Sequence, residues 1–155
     1  MKKIVWALGF SLWASLSTGM AAERVGLGFI VGSPTGLSAK LPLSGINSLN
    51  LLAGWYAYGN YRGNNNGVLY LNGDYVWNDF GLIPVTQGKL ALYYGPGVNM
   101  VIANNFGIGV RGIIGILYQF SNAPLEVLFE VGPGINVVPS TSVGFTAGLG
   151  MRFLL

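Results

Sequence analysis

The 155-residue sequence predicts an all-β fold: an eight-stranded antiparallel up-and-down transmembrane β-barrel after a cleaved signal peptide. Three observations carry this. First, 52% of residues are hydrophobic and 8% charged, whereas an ordinary soluble domain is about 25% charged. Second, apolar residues recur with period two, the spacing of a strand with one apolar face. Third, every charge inside those segments falls on the face opposite the apolar one. The composition also narrows the chemistry. High hydrophobicity with low charge excludes a disordered chain. With no histidine, imidazole catalysis and most zinc or copper sites are excluded. With no cysteine, so are thiol nucleophiles, disulfides and iron–sulfur clusters. No catalytic residue, metal site or cofactor is expected.

Residues 1–22 read as the signal peptide. Met1-Lys2-Lys3 is a positive start, Ile4 to Leu16 is largely apolar, and Ala21-Ala22 supplies small residues for cleavage. A retained helix is the competing reading, but the run is broken by Ser11, Ser15 and Ser17 and is short of the roughly 20 residues a span needs. The barrel domain is then 23–155. Losing Lys2 and Lys3 leaves six basic and five acidic residues, a net of +1, which offers no basic patch for nucleic acid.

Eight strands follow in order. The first five lie near 24–32, 37–43, 48–57, 68–77 and 89–102. Their apolar faces include Val25/Leu27/Phe29/Val31, Leu37/Ala39/Leu41/Leu43, Leu49/Leu51/Ala53/Trp55, Leu69/Leu71/Tyr75/Trp77 and Leu90/Leu92/Tyr94/Val98/Met100. The last three, at 106–120, 125–139 and 143–155, alternate most cleanly. In the first of these, Phe106, Ile108, Val110, Ile114 and Ile116 share one face, and glycines with Arg111, Ile113, Leu117 and Gln119 share the other, a small and mixed face that carries the charge. Lys40, Asp74, Lys89, Arg111, Glu126, Glu130 and Arg152 all oppose the apolar faces.

A soluble sheet would turn the polar face to water and carry far more charge there. A sparse, glycine-rich polar face opposite a broad aromatic one fits a barrel turned inside out, with lipid outside and a narrow polar lumen within. In lipid the strands must close, because no backbone group can be left unpaired. Eight spans of roughly 10 residues leave enough of 23–155 for seven connections; sixteen do not fit. An even count is expected to put both chain termini on the periplasmic side. A soluble periplasmic barrel with the apolar face inward is the competing arrangement, and it would leave glycine and few charges for solvent.

The connections carry turn residues. Gly32–Gly36, Ser44–Asn47, Asn60–Gly67, Asn78–Gly88, Ala103–Asn105, Ser121–Pro124 and Ser140–Ser142 separate the strands, with 78–88 the longest. Those expected outside the cell, at 32–36, 60–67, 103–105 and 140–142, are all short, which argues against an adhesin or a receptor with large recognition loops. Gly95-Pro96-Gly97-Val98-Asn99 is echoed by Gly132-Pro133-Gly134-Ile135-Asn136. Proline removes a ladder donor and usually marks a bulge, so the pair reads as matched bends in two strands of one direction rather than as a binding feature.

Few motifs point to chemistry. Gly107-Ile-Gly-Val-Arg-Gly112 spells a dinucleotide fingerprint but lacks the strand-before, helix-after context. Ser38 and Lys40 share a face and spell a Ser–Lys pair, but polar lumen lining is by far the favoured reading, since such a match without its structural context misleads. The lumen charges say more. Glu126 and Arg152 fall toward the same end of neighbouring strands, in position to pair, and Lys40, Asp74, Arg111 and Glu130 extend the set. Buried charges must be paired, and an eight-strand lumen is just wide enough for side chains to fill. A structural plug is the favoured reading and a narrow polar path the alternative. Trp55 and Phe106 at one end, with Trp77, Tyr118, Phe120 and Phe153 at the other, read as interface girdles.

The chain resembles the small bacterial outer-membrane β-barrels, the group that includes the membrane domain of outer membrane protein A. Gly150, Phe153 and Leu155 in the terminal Gly-Met-Arg-Phe-Leu-Leu resemble the β-signal read by the barrel assembly machinery, with Leu where Phe is common at the end and Gly148 at the expected polar position. Gly32 to Lys40, Asp74-Tyr-Val-Trp77 and Ala123-Pro-Leu125 are similar to an uncharacterised family of such barrels. The resemblance implies an outer-membrane location, lipid and the assembly machinery as partners, and a structural or envelope role without enzymatic activity. Channel formation is the alternative. A lipid-modifying enzyme is disfavoured, because outer-membrane acyl-transfer barrels use a histidine-assisted serine.

Overall fold

The computed structural model describes residues 23–55 and 68–155. The expected signal peptide, 1–22, and the expected loop at 60–67 therefore lie outside the described residues. Eight strands are present: β1 (Gly26–Ser33), β2 (Thr35–Pro42), β3 (Asn47–Trp55), β4 (Leu69–Asp79), β5 (Lys89–Ile102), β6 (Gly107–Gln119), β7 (Leu125–Val138) and β8 (Ser142–Leu154). No helix occurs among the described residues. Each strand pairs antiparallel with the next, and β1 closes the sheet onto β8 from Gly26↔Leu154 to Ser33↔Ala147. The fold is thus a closed eight-stranded up-and-down barrel with no free edge.

The period-two pattern sorts the two faces. Outside, large apolar side chains are exposed on all eight strands: Phe29, Leu37, Leu51, Leu69, Val98, Ile114, Phe129 and Val143, the last 84% exposed. Inside sit the buried residues, polar and apolar alike. The interior is not uniformly polar: the apolar residues that alternation placed among the charges, such as Ile113, Leu117 and Leu128, meet there. Ile30, Leu52, Val76, Ala91, Tyr93, Ile113, Leu117 and Leu128 form one buried apolar cluster drawn from β1 and from β3 through β7. An eight-strand barrel is narrow enough for such side chains to meet across the lumen.

The two Gly-Pro-Gly segments interrupt the pairing without the bulge that a strand proline usually marks. Pairing of β4 with β5 lapses between Asp74↔Gly97 and Trp77↔Tyr94, and that of β6 with β7 between Arg111↔Gly134 and Ile114↔Val131, with register unchanged across each gap. Pro96 and Pro133 fall within the gaps because neither has an N–H to donate. The register shift in the β6–β7 ladder sits instead at Ile108/Gly109. The first connection is also tighter than expected: only Pro34 separates β1 from β2. Thr35 Oγ1 braces it, accepting from Gly32 N at 3.1 Å and donating to Gly32 O at 3.0 Å.

The barrel has two distinct ends. The near end is where β1 begins and β8 finishes; it carries the 43–46, 80–88 and 120–124 connections. The far end carries Pro34 and the 103–106 and 139–141 connections. Trp77, Tyr118, Phe120 and Phe153 lie toward the near end, Trp55 and Phe106 toward the far end. Tyr75 and Tyr94 join the near-end aromatics: Tyr75 meets Trp77 edge-on at 5.3 Å, and Trp77 lies 6.0 Å from Tyr94.

Candidate functional site

The lumen charges gather into two clusters. In the near-end cluster, Glu126 takes cations on both oxygens. Arg152 Nη1 lies 3.0 Å from Oε1, and Lys40 Nζ lies 3.2 Å from Oε2. Gln119 Nε2 donates to Oε2 at 2.9 Å. Arg152 Nε donates to Ser38 Oγ at 2.9 Å. Lys40 also reaches Glu23, which precedes β1, at 3.1 Å. Burial pushes the Glu23 carboxyl above its ordinary value, and Lys40 draws it the other way. Two cations thus face two carboxylates.

The central cluster holds one cation between two carboxylates. Arg111 Nε lies 3.1 Å from Asp74 Oδ1, though not aligned for a hydrogen bond, and Arg111 Nη2 lies 3.7 Å from Glu130 Oε1. Tyr93 OH donates to Glu130 Oε2 at 2.7 Å. On β7, Leu128 of the apolar cluster separates Glu126 of one group from Glu130 of the other.

Register explains how strands that are not neighbours bring these groups together. One row of the sheet reads Asp74–Gly97–Arg111–Gly134 across β4 to β7. A second reads Tyr93–Gly115–Glu130–Gly148 across β5 to β8. A third reads Glu126–Arg152–Gly28–Ser38 across β7, β8, β1 and β2. In each row a long polar side chain reaches its partner over a glycine on the strand between them. A Cβ at Gly97 would collide with the Asp74 carboxylate, and one at Gly115 would lie 2.5 Å from Tyr93 Cζ and 2.6 Å from Phe129 O. Gly97 and Gly115 therefore leave room for the side chains that cross them. Gly115→Ala is expected to cost about 1–3 kcal/mol, the usual range for overpacking, measured by urea unfolding of the refolded barrel. An unchanged midpoint would mean that Tyr93 does not cross Gly115.

The other residues singled out by the sequence have these places. Gly150 faces the lumen, where a Cβ would lie 2.7 Å from Ile30 Cγ1. Phe153 is exposed on the outer face, between Leu27 and Leu125 in the ladders. Leu155 follows β8; its N–H donates to Val25 O at 2.8 Å and its side chain is exposed. Ser38 is engaged by Arg152, and Lys40 lies between two carboxylates, so the two are not arranged as nucleophile and base. Gly107–Gly112 lies within β6, with no helix after it. Sequence reasoning missed Tyr93, Gln119 and Glu23 as partners of the charges. Their signal was weak: Tyr93 and Gln119 share the parity of Arg111, while Glu23 lies outside any strand.

A cavity of about 620 Å³ opens at the near end, lined by Glu23, Lys89, Phe80, Gln119 and Leu154 among others. A smaller one of about 160 Å³ lies at the far end over Arg111, Asn99, Asn136 and Thr146. Among the described residues, no group of His, Cys, Asp or Glu is arranged to hold a metal.

The closed barrel with its inside-out faces has a counterpart among solved structures. The chain is similar to the crystal structure of the N-terminal β-barrel domain of Pseudomonas aeruginosa OprF. The match has a TM-score of 0.56 at 15% identity and covers 89% of this chain and 100% of that one. The two share a barrel fold. No family model and no curated protein matches the chain.

Proposed function

We propose that the protein is an integral outer-membrane β-barrel with a side-chain-filled lumen and a structural role in the envelope. The observation that carries this is the inverted distribution of polarity. The wide exposed face is apolar and aromatic, while Lys40, Asp74, Arg111, Glu126, Glu130 and Arg152 are all buried inside. In water the outer face would be a contiguous apolar patch far beyond what soluble monomers expose. In a bilayer it meets lipid, and the closed ladder leaves no strand edge unpaired. The likeness to the OprF barrel domain supports the same reading.

The balance of contacts supports a filled lumen. The near-end charges are matched, the apolar cluster occupies the same interior, and the glycines make room for side chains rather than for a bore. Such a barrel acts through its outer surface and its ends, and no catalytic step is assigned to it. The far-end cavity over Arg111 favours one other reading, a narrow path for small solutes or ions. Lipid and, during biogenesis, the barrel assembly machinery are the partners this role requires. The test begins with protein refolded from urea into phospholipid vesicles. It is expected to float with the vesicles and to run faster on gels unboiled than boiled. Mature protein that stays soluble without lipid or detergent and shows no heat-dependent shift would overturn the reading.

A further inference from the structure

The near-end rim bears a loop whose middle, residues 82–85, is used by neither the barrel nor the lumen. Residues 80–88, Phe-Gly-Leu-Ile-Pro-Val-Thr-Gln-Gly, contain no charge. Phe80 turns inward and packs against the interior cluster. Leu82, Ile83 and Val85 are all exposed, Leu82 by 57%.

The loop is steered toward the lipid-facing side. Tyr118 belongs to the outer face of β6, where it stacks edge-on with Phe120 at 4.9 Å, and its OH donates to Gln87 O at 3.0 Å. Gly88 has a left-handed backbone, φ 72°, and a Cβ there would lie 2.5 Å from Gln119 O and 2.6 Å from Tyr118 OH. The returning arm is thereby pinned to the aromatic pair rather than folded over the mouth. The two ends also differ. Leu43 and Ile46, in the 43–46 connection, add to the exposed apolar rim at the near end. At the far end the described connections are shorter and carry Asn104, Asn105, Ser140 and Thr141, with Phe106 their one exposed large apolar side chain.

We infer that Leu82, Ile83 and Val85 insert into the phospholipid leaflet at the near end, anchoring the barrel so that this rim sits in the bilayer interface while the far-end turns stand in water. This rests on the membrane reading above. The occupant is lipid because the loop continues the lipid-facing surface through Tyr118, and because three aliphatic side chains without a charge suit acyl chains rather than a polar partner. Outer-membrane barrels ordinarily have short turns at the periplasmic end, and the long apolar loop here is accounted for by anchoring.

The test uses the absence of cysteine. Single variants Leu82→Cys, Ile114→Cys and Ser140→Cys are each labelled with an environment-sensitive fluorophore and refolded into phosphatidylcholine vesicles, with and without brominated acyl chains. The label at 114, in the middle of the outer belt, reports whether the barrel spans the membrane at all. The expected result is blue-shifted emission and strong bromine quenching at 114, a smaller shift and clear quenching at 82, and neither at 140. Quenching at 114 with water-like, unquenched emission at 82 would overturn the anchor and leave the membrane reading standing. Equal quenching at 82 and 140 would overturn the asymmetry. No quenching at 114 would overturn both.

Discussion

Replacing Arg152 by methionine is expected to destabilise the barrel by about 3–5 kcal/mol, the range for stranding one partner of a buried ion pair. Arg152 is 1% exposed. Its guanidinium meets Glu126 Oε1 at 3.0 Å and Ser38 Oγ at 2.9 Å. Methionine keeps much of the volume but leaves Glu126 Oε1 without its cation, while Lys40 and Gln119 hold only Oε2. Glu126→Gln in the same background should recover part of the loss, because a neutral amide is cheaper to bury than an unpaired carboxylate. A double-mutant cycle is then expected to give a coupling of about 1–3 kcal/mol, near the top of the range for residues in contact. The readout is urea unfolding in vesicles, followed by unboiled gels. A coupling near zero would mean that the two groups are solvated independently, and the lumen would then be wet rather than filled.

Ile114→Arg tests the outer face. Ile114 lies mid-strand on β6, opposite Tyr94 and Val131, and is 46% exposed. An arginine at the bilayer midplane of a barrel costs about 2–4 kcal/mol, falling to about 0–1 kcal/mol near the interfaces. The variant should therefore give a much lower folded fraction on refolding into vesicles, whereas Asn105→Arg in a far-end turn should refold like the parent. Normal insertion of Ile114→Arg would place this face away from lipid.

The faces were legible in the sequence because strand alternation is local: once Phe106 to Phe120 shows period two, Ile114 and Arg111 must point in opposite directions. Strand positions were legible for the same reason, most within one or two residues, since Gly, Pro and Asn punctuate the ends. The contacts within the lumen were much less so. Lys40 and Glu126 are 86 residues apart, and only the register around the closed sheet brings them together. Glu126 and Arg152 were the readable exception because they sit opposite each other on consecutive strands. The glycines that let Arg111 reach Asp74, and Tyr93 reach Glu130, look alike in the sequence; the register alone shows which of them lie beneath a crossing side chain. The apolar cluster was hidden because Leu117 and Leu128 share a face with charges, and alternation does not reveal the depth at which side chains from different strands meet. Proline foretold interrupted pairing, but Pro96 and Pro133 open gaps rather than shift the register.

The most direct test of the filled lumen is single-channel recording from the refolded mature protein in a planar lipid bilayer, with insertion verified on the same preparation by the heat-dependent gel shift. A lumen filled by side chains predicts a folded, inserted and electrically silent barrel. Discrete, reproducible conductance steps would contradict it, and Lys40, Arg111 and Glu130 would then line a water path as its selectivity residues.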